Sequence, residues 1–284
     1  MESKIILGTA NFQKKYGLSK KNINFSEIKK LITLLKKNNI KEIDTAITYH
    51  AESKIKYLPS KYKVNTKIPT LNLSENIKKN IYFMIERSLK ILKKKKFESI
   101  LLHNPSQIFT KKGNEILDTI TELKKNGLTK KVGFSVYTPN ELKNVIKEFK
   151  PDLVQIPLSI ADKRFIKGKF LLRLKKRGIK IHARSIFLQG LLIFDAQKRP
   201  KYFNSWKKDL KNWDDYIISN NFDRLKVCLD FISTIKEVDK FVVGFNTTNQ
   251  LKEIINNYKQ KKLKKIFNFK DLDQNFLIPT KWKI

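Results

Sequence analysis

Four side chains of the 284-residue sequence carry the groups needed to protonate a carbonyl oxygen: Asp44, Tyr49, Lys67 and His103. A free tyrosine hydroxyl titrates at about 10, too high for an efficient acid near neutrality, and an adjacent ammonium lowers it by stabilising the phenolate. Lys67 is the candidate ammonium. Asp44 would hold Lys67 charged and in place, while His103 would hydrogen-bond the substrate oxygen and share in its protonation. Each residue alone has a plainer reading, with Lys67 and Asp44 as a structural ion pair and His103 as a satisfied histidine under a loop. What favours the chemistry is that all four fall at the ends of consecutive apolar runs.

Those runs are short and strand-like, at residues 5–7, 40–43, 64–66, 99–102, 131–134, 153–156, 179–181 and 241–243. Asp44 ends the second and Tyr49 follows it, Thr66-Lys67 end the third, and His103-Asn104 follow the fourth. Helical stripes alternate with them. Ile28, Leu31, Ile32 and Leu35 stand behind Ser26, and Ile77, Ile81, Met84, Ile85, Leu89 and Leu92 stand behind Ser74. Thr138-Pro139-Asn140-Glu141 joins a capping box to a proline at the first helical position, the clearest helix start in the chain. Eight such alternations predict a (β/α)8 TIM barrel, one domain over residues 1–284, with a long loop after strand seven and a C-terminal tail; such barrels take about 250 residues. The same alternation also permits an open doubly wound sheet, but the strand count favours the barrel. In a barrel, active residues gather at the C-terminal strand ends, where this quartet lies. The long connection, residues 184–221, holds Phe187, Trp206, Trp213 and Tyr216 and reads as a lid or substrate wall, with the tail at 276–284 also expected to shape specificity.

Composition narrows the partners. No pair of the nine glycines supports a G-x-G-x-x-G fingerprint, and there is no P-loop, so any nucleotide must be held another way. One cysteine, Cys228, and three histidines leave no material for a disulfide or a Cys/His zinc cluster, so no metal site is expected. A reducing cytoplasm, with neither export nor a membrane span, is the expected setting. The net charge of +35 raises nucleic acid as a partner, yet only seven of the 61 basic residues are Arg, the residue of base-specific contacts. A lysine coat on solvated helix faces is the preferred reading, so no specific nucleic acid is expected. Cys228 falls in a helical stripe and reads as core, His50 as an exposed loop residue, and His182 as barrel interior or cofactor rim.

The sequence resembles the aldo-keto reductases. The resemblance is carried by Leu7-Gly8-Thr9-Ala10, by residues 43–52 with their Asp44-Thr45-Ala46 and Tyr49, by Thr66-Lys67, Leu101-Leu102-His103-Asn104-Pro105, Val132-Gly133-Phe134-Ser135, Val154-Gln155 and Val242-Val243-Gly244. It implies hydride transfer from NADPH or NADH to an aldehyde or ketone, plausibly of a sugar or small metabolite, with Tyr49 as acid, Lys67 and Asp44 tuning it and His103 orienting the carbonyl. It further implies that Gly8, Thr9 and Asp44 lie near the nicotinamide and that Ser135 and Gln155 bind its carboxamide. Arg184, Ser185, Leu188 and Gly190 match the loop that handles the pyrophosphate, and Gly244, Asn246 and Gln250 the adenosine-phosphate region.

Two departures bear on specificity. Arg184 stands where the family commonly stacks an aromatic ring on the nicotinamide, and its guanidinium could replace that ring, reach a phosphate, or meet an acidic substrate. The segment 245–251 lacks the cation that often clamps a 2′-phosphate, leaving NADH and NADPH both open. His50 follows Tyr49 where many relatives have glycine. A nucleotide-sensing binding protein of the same fold with little turnover is the competing functional reading. The oligomeric state is not legible.

Overall fold

The structure, a computed structural model, describes residues 2–12, 18 and 27–284. Eight parallel strands pair in chain order: β1 (Ile5–Gly8), β2 (Glu42–Asp44), β3 (Lys63–Ile68), β4 (Ser99–Leu102), β5 (Val132–Ser135), β6 (Leu153–Pro157), β7 (Lys180–Arg184) and β8 (Lys240–Val243). β8 returns to β1 with Ile5 opposite Phe241 and Leu7 opposite Val243, closing the barrel. Each strand is covered by helices outside and by other strands' side chains inside, which is why the strands read as continuous apolar runs. The open doubly wound sheet is thereby excluded.

The strands reach further toward the mouth than their apolar runs. Asp44, Lys67, Ser135 and Arg184, all polar, are themselves ladder residues. Backbone pairing does not depend on side-chain polarity, so these four are held by the barrel itself, whereas Tyr49 and His103 stand on the segments that follow β2 and β4. Conversely, Ile40 precedes its strand, and its N–H instead closes the preceding helix on the Leu35 carbonyl. At Gly133 of β5 a Cβ would stand 1.7 Å from the Leu153 carbonyl oxygen, so only glycine lets β5 and β6 approach.

The helices are α1 (Ile28–Lys37), α2 (Glu52–Ile55), α3 (Ile77–Leu92), α4 (Gly113–Lys125), α5 (Pro139–Glu148), α6 (Phe170–Lys176), α7 (Lys207–Ser219), α8 (Arg224–Thr234), α9 (Thr248–Lys259) and α10 (Gln274–Leu277). Thr138 caps α5 by accepting from the Glu141 N–H at 3.1 Å, and Glu141 returns a bond to the N–H of Tyr137, one residue before the cap. Ser74 does not cap α3. Asn76, closer to the first turn and as good an acceptor, takes the Lys79 N–H at 2.8 Å, while the Ser74 hydroxyl turns to Asn72. Ser26, expected ahead of α1, lies outside the described residues.

The connection after β7 divides in two. Its first part, with Phe187, lines the cleft that opens from the mouth, as a substrate wall would; its later part contains α7, and Trp206, Trp213 and Tyr216 pack away from the mouth. Trp213 is fully buried, donates to the Leu192 carbonyl at 3.1 Å, and packs on Tyr216, Phe267 and Phe269. Trp206 packs on Phe203 and on Phe276 from the tail, and Trp282 closes on Phe203 at 4.8 Å between ring centroids. These large apolar faces are better buried against one another than left over a wet opening. Loop and tail thus extend the hydrophobic core beyond the barrel. Cys228 is buried in α8 as its stripe predicts, and burial pushes its thiol pKa up.

Candidate active site

The sequence quartet meets at one mouth. Lys67, fully buried near the end of β3, donates to Asp44 Oδ1 at 2.6 Å and to the Thr45 carbonyl at 2.9 Å. The other Asp44 oxygen accepts from Gln155 Nε2 at 2.7 Å, so a buried carboxylate from β2 ties β3 to β6. Tyr49 sits in the turn Ile47–Tyr49 directly above. Its ring lies edge-on to His103, 6.4 Å between centroids, and 5.6 Å from Lys67 Nζ. The next residue explains how that turn ends. His50 has φ +52, in the left-handed region where glycine is unstrained, which accounts for glycine being common there in the resembling family. His50 is exposed, as expected.

One expected effect runs the other way. The phenol of Tyr49 is not lowered by Lys67 but raised above its ordinary value, chiefly because the mouth shields it from water and secondarily by the Asp44 carboxylate; Arg184 partly opposes this. The reason lies in pairing: the Lys67 charge is largely cancelled by Asp44 at contact distance. Tyr49 is therefore protonated at neutral pH, the form an acid must have. Burial pushes the Lys67 ammonium down, and Asp44 restores it in part. His103 falls to about 4 through burial, reinforced by Lys67 and Arg184, and is neutral near pH 7. His182 also falls to about 4, mainly by burial, and lies inside the barrel on β7.

A cleft of about 700 Å³ runs from this mouth past β8 to α8 and α9. Its walls include Gly8, Thr9, Asp44, Tyr49, Gln155, Arg184, Ser185, Gly190, Gly244, Asn246 and Gln250. Ser135 and Leu188, also expected at a cofactor, do not line it. Ser135 is buried at the end of β5, and Leu188 faces inward and shapes the loop through its N–H to the Ser185 carbonyl at 2.8 Å. That loop holds Ser185, Leu188 and Gln189 at φ +58, +47 and +53, three non-glycine residues in the left-handed region, which each cost about 1–2 kcal/mol. Strain of that kind persists where surrounding structure demands a particular wall.

Sequence reasoning reached Gln250 but missed the rest of the far wall. Glu253 and Asn257 line the cleft from the same face of α9 as Gln250, a spacing of three and four that the helical period could have revealed. Asn11 was missed too; its amide donates to Asn246 Oδ1 at 2.9 Å and to the Phe245 carbonyl, joining the two ends of the cleft rim. Among the buried side-chain atoms, Ser135 Oγ and Gln155 Oε1 have no hydrogen-bond partner among the described residues. Orphaned groups of this kind beside a cleft suit a polar ligand such as an amide.

Fold and site together define a barrel protein with a proton-donating mouth opening into a long polar cleft. The chain belongs to the aldo/keto reductase family, whose model matches residues 4–273. It is an oxidoreductase of that family, for which NAD(P) dependence is general. Among solved structures it is similar to an aldo-keto reductase of Bacillus halodurans in its holo form, at 16% identity over 92% of this chain and 88% of that one, with a TM-score of 0.73. It is also similar to a Pseudomonas aeruginosa protein assigned to the aldo-keto reductases, at 17% identity, 90% of each chain and a TM-score of 0.66. A thermostable aldo-keto reductase solved with the inhibitor epalrestat gives 19% identity, 92% of each chain and 0.66. At these identities the likeness is one of fold. No curated protein matches the chain. No helix of the described residues is long and apolar enough to cross a membrane.

Proposed function

We propose that the protein reduces an aldehyde or ketone to an alcohol with NADPH or NADH, using Tyr49 as the general acid. The observation that carries this reading is a protonated Tyr49 that packs edge-on against a neutral His103 and lines, with Asp44, a cleft of about 700 Å³. A nicotinamide dinucleotide bound along the cleft supplies a hydride to the carbonyl carbon. Ser135 Oγ and Gln155 Oε1 are suited to its carboxamide, Ser185 and Gly190 to its pyrophosphate, and Asn246 and Gln250 to its adenosine end.

The chain's own residues do the rest. His103 holds the carbonyl oxygen through a ring N–H, and Tyr49 Oη passes its proton to that oxygen as negative charge develops there. The phenolate left behind faces Lys67 and Arg184, so the positive charge that does little for the resting phenol acts when the anion forms. Asp44 keeps Lys67 ammonium-like and in place, and Gln155 fixes Asp44.

The test is Tyr49→Phe. Turnover should fall on the order of 10²–10⁴-fold, the usual worth of a positioned acid, while the dinucleotide Kd stays within about twofold. Single-turnover decay of the bound dinucleotide's absorbance with a panel of aldehydes reads the chemical step directly. Wild-type protein that binds dinucleotide but reduces none of the panel would instead support the nucleotide-sensing alternative.

A further inference from the structure

Arg184 is the side chain of the mouth that the reduction does not fully use. It ends β7, yet its guanidinium reaches back over the barrel, away from the arm of the cleft that leads to α9. Nη2 donates to the Val136 carbonyl at 3.1 Å, Nη1 lies 3.3 Å from Ser185 Oγ, and the plane sits 4.4 Å from the centre of the Tyr137 ring. Val136 and Tyr137 follow β5, so the charge stands on the side of the mouth that faces His103 and Tyr49.

No carboxylate among the described residues neutralises it. Lys67 is matched by Asp44, and the cleft's other guanidinium, Arg224, lies 3.0 Å from Asp214, a carboxylate it shares with Arg199. Arg184 has only carbonyl, hydroxyl and ring neighbours, and its Nε is buried without a hydrogen-bond partner among the described residues. With His103 and Tyr49 neutral, the mouth carries one uncompensated positive charge on a rigid, ring-stacked fork with unused donor capacity. Leaving a guanidinium so placed is unfavourable unless an anion completes it.

We infer that the substrate of this protein is an anionic carbonyl compound, an aldehyde or ketone bearing a carboxylate or phosphate, and that Arg184 binds the anionic group. This rests on the reductase reading above for the carbonyl, and on the geometry of Arg184 for the charge. An oxyanion engaging the N–H bonds that Nη1 and Nη2 leave uncommitted would leave the carbonyl end toward Tyr49 and His103. A dinucleotide phosphate is the competing occupant, because Arg184 lines the cleft and its Nη1 lies 3.3 Å from Ser185 Oγ, and the dinucleotide Kd of Arg184→Met decides between the two.

The experiment compares matched pairs that differ in charge: succinic semialdehyde with butanal, and glyceraldehyde 3-phosphate with glyceraldehyde. Wild-type protein should favour the charged member of at least one pair in kcat/KM, on the order of 100-fold, the worth of a charge-assisted hydrogen-bonded pair. Which pair shows the effect separates carboxylate from phosphate. Arg184→Met should raise KM for the charged member alone and so abolish the preference, any fall in kcat from the lost charge beside Tyr49 being common to both members of a pair, and should leave the dinucleotide Kd unchanged; Arg184→Lys should retain part of the preference. Calorimetry with malonate and with inorganic phosphate reads the anion site without turnover, on protein loaded with dinucleotide and on protein alone. Malonate or phosphate bound by wild-type and lost in Arg184→Met, with no aldehyde reduced, would sink the reductase reading and keep the anion site. Equal loss on charged and neutral substrates, a weakened dinucleotide Kd in Arg184→Met, or no charge preference in wild-type protein would overturn the inference.

Discussion

Lys67 remains useful in the interior because Asp44 and the Thr45 carbonyl accept two of its three protons. Removing one member of such a pair is costlier than removing both, because the survivor is left as an uncompensated buried charge. Lys67→Met should therefore destabilise the protein by about 3–5 kcal/mol, and Asp44→Asn added to it should recover much of that loss. Urea denaturation of the two single variants and the double variant measures both numbers. Additive losses would show that the two side chains do not act as a pair. The pairing itself was legible in the sequence, because two strand ends in adjacent strands of a barrel must meet. The direction of the Tyr49 shift was not, since it depends on which of its neighbours is already neutralised. That is settled by ångström distances that no spacing rule supplies.

At the scale of elements, α9 shows how a helix start can be legible and its function still hidden. Gly244 to Gln250 read as a helix opening fit for an anion, and Thr247 does cap α9 by accepting the Gln250 N–H at 3.2 Å. The chain supplies an anion of its own, however. Glu27, just ahead of α1, accepts from the Thr248 N–H at 3.1 Å and from its hydroxyl at 2.6 Å, and these bonds hold the Glu27 carboxyl below its usual range. No sequence period connects residues so far apart, and the cap follows only from barrel closure, which brings α1 beside α9. With Glu27 on the helix start and Asp223 and Glu253 along the cleft, a 2′-phosphate meets like charge. NADH should bind about fivefold tighter than NADPH, the effect of one like charge at short range near water, and Glu27→Gln should narrow the gap. Fluorescence titration of both dinucleotides decides it, and tighter NADPH binding by wild-type protein would show that Arg224 or a neighbour outweighs these carboxylates. The later aromatic residues of the loop pack away from the mouth for a related reason. Periodicity shows that residues 207–219 have an apolar face, but only the tail's path shows what that face meets.

Across the whole molecule the net charge of +35 has a physical consequence whatever the partner. Many of the 26 acidic groups are already in ion pairs, some of them tying a helix to the segment that enters a strand, such as Lys124 with Asp152 and Lys175 with Asp239, both at 2.7 Å. The lysines beyond that number repel one another in the folded state and less so in the expanded chain. Salt weakens both effects, but exposed pairs are worth at most about 1 kcal/mol each, whereas the excess charge acts over the full surface. Screening should therefore stabilise this protein. Raising sodium chloride from low to near-physiological strength should lift Tm by roughly 2–5 °C, since a protein of this size gains about 2 °C per kcal/mol. Phosphate at equal ionic strength should raise it further, because an ion that occupies the Arg184 site binds only the folded form. Arg184→Met should keep the chloride effect and lose the phosphate increment. A Tm that falls with added chloride would mean that the ion pairs, and not the lysine excess, dominate the electrostatics of the fold.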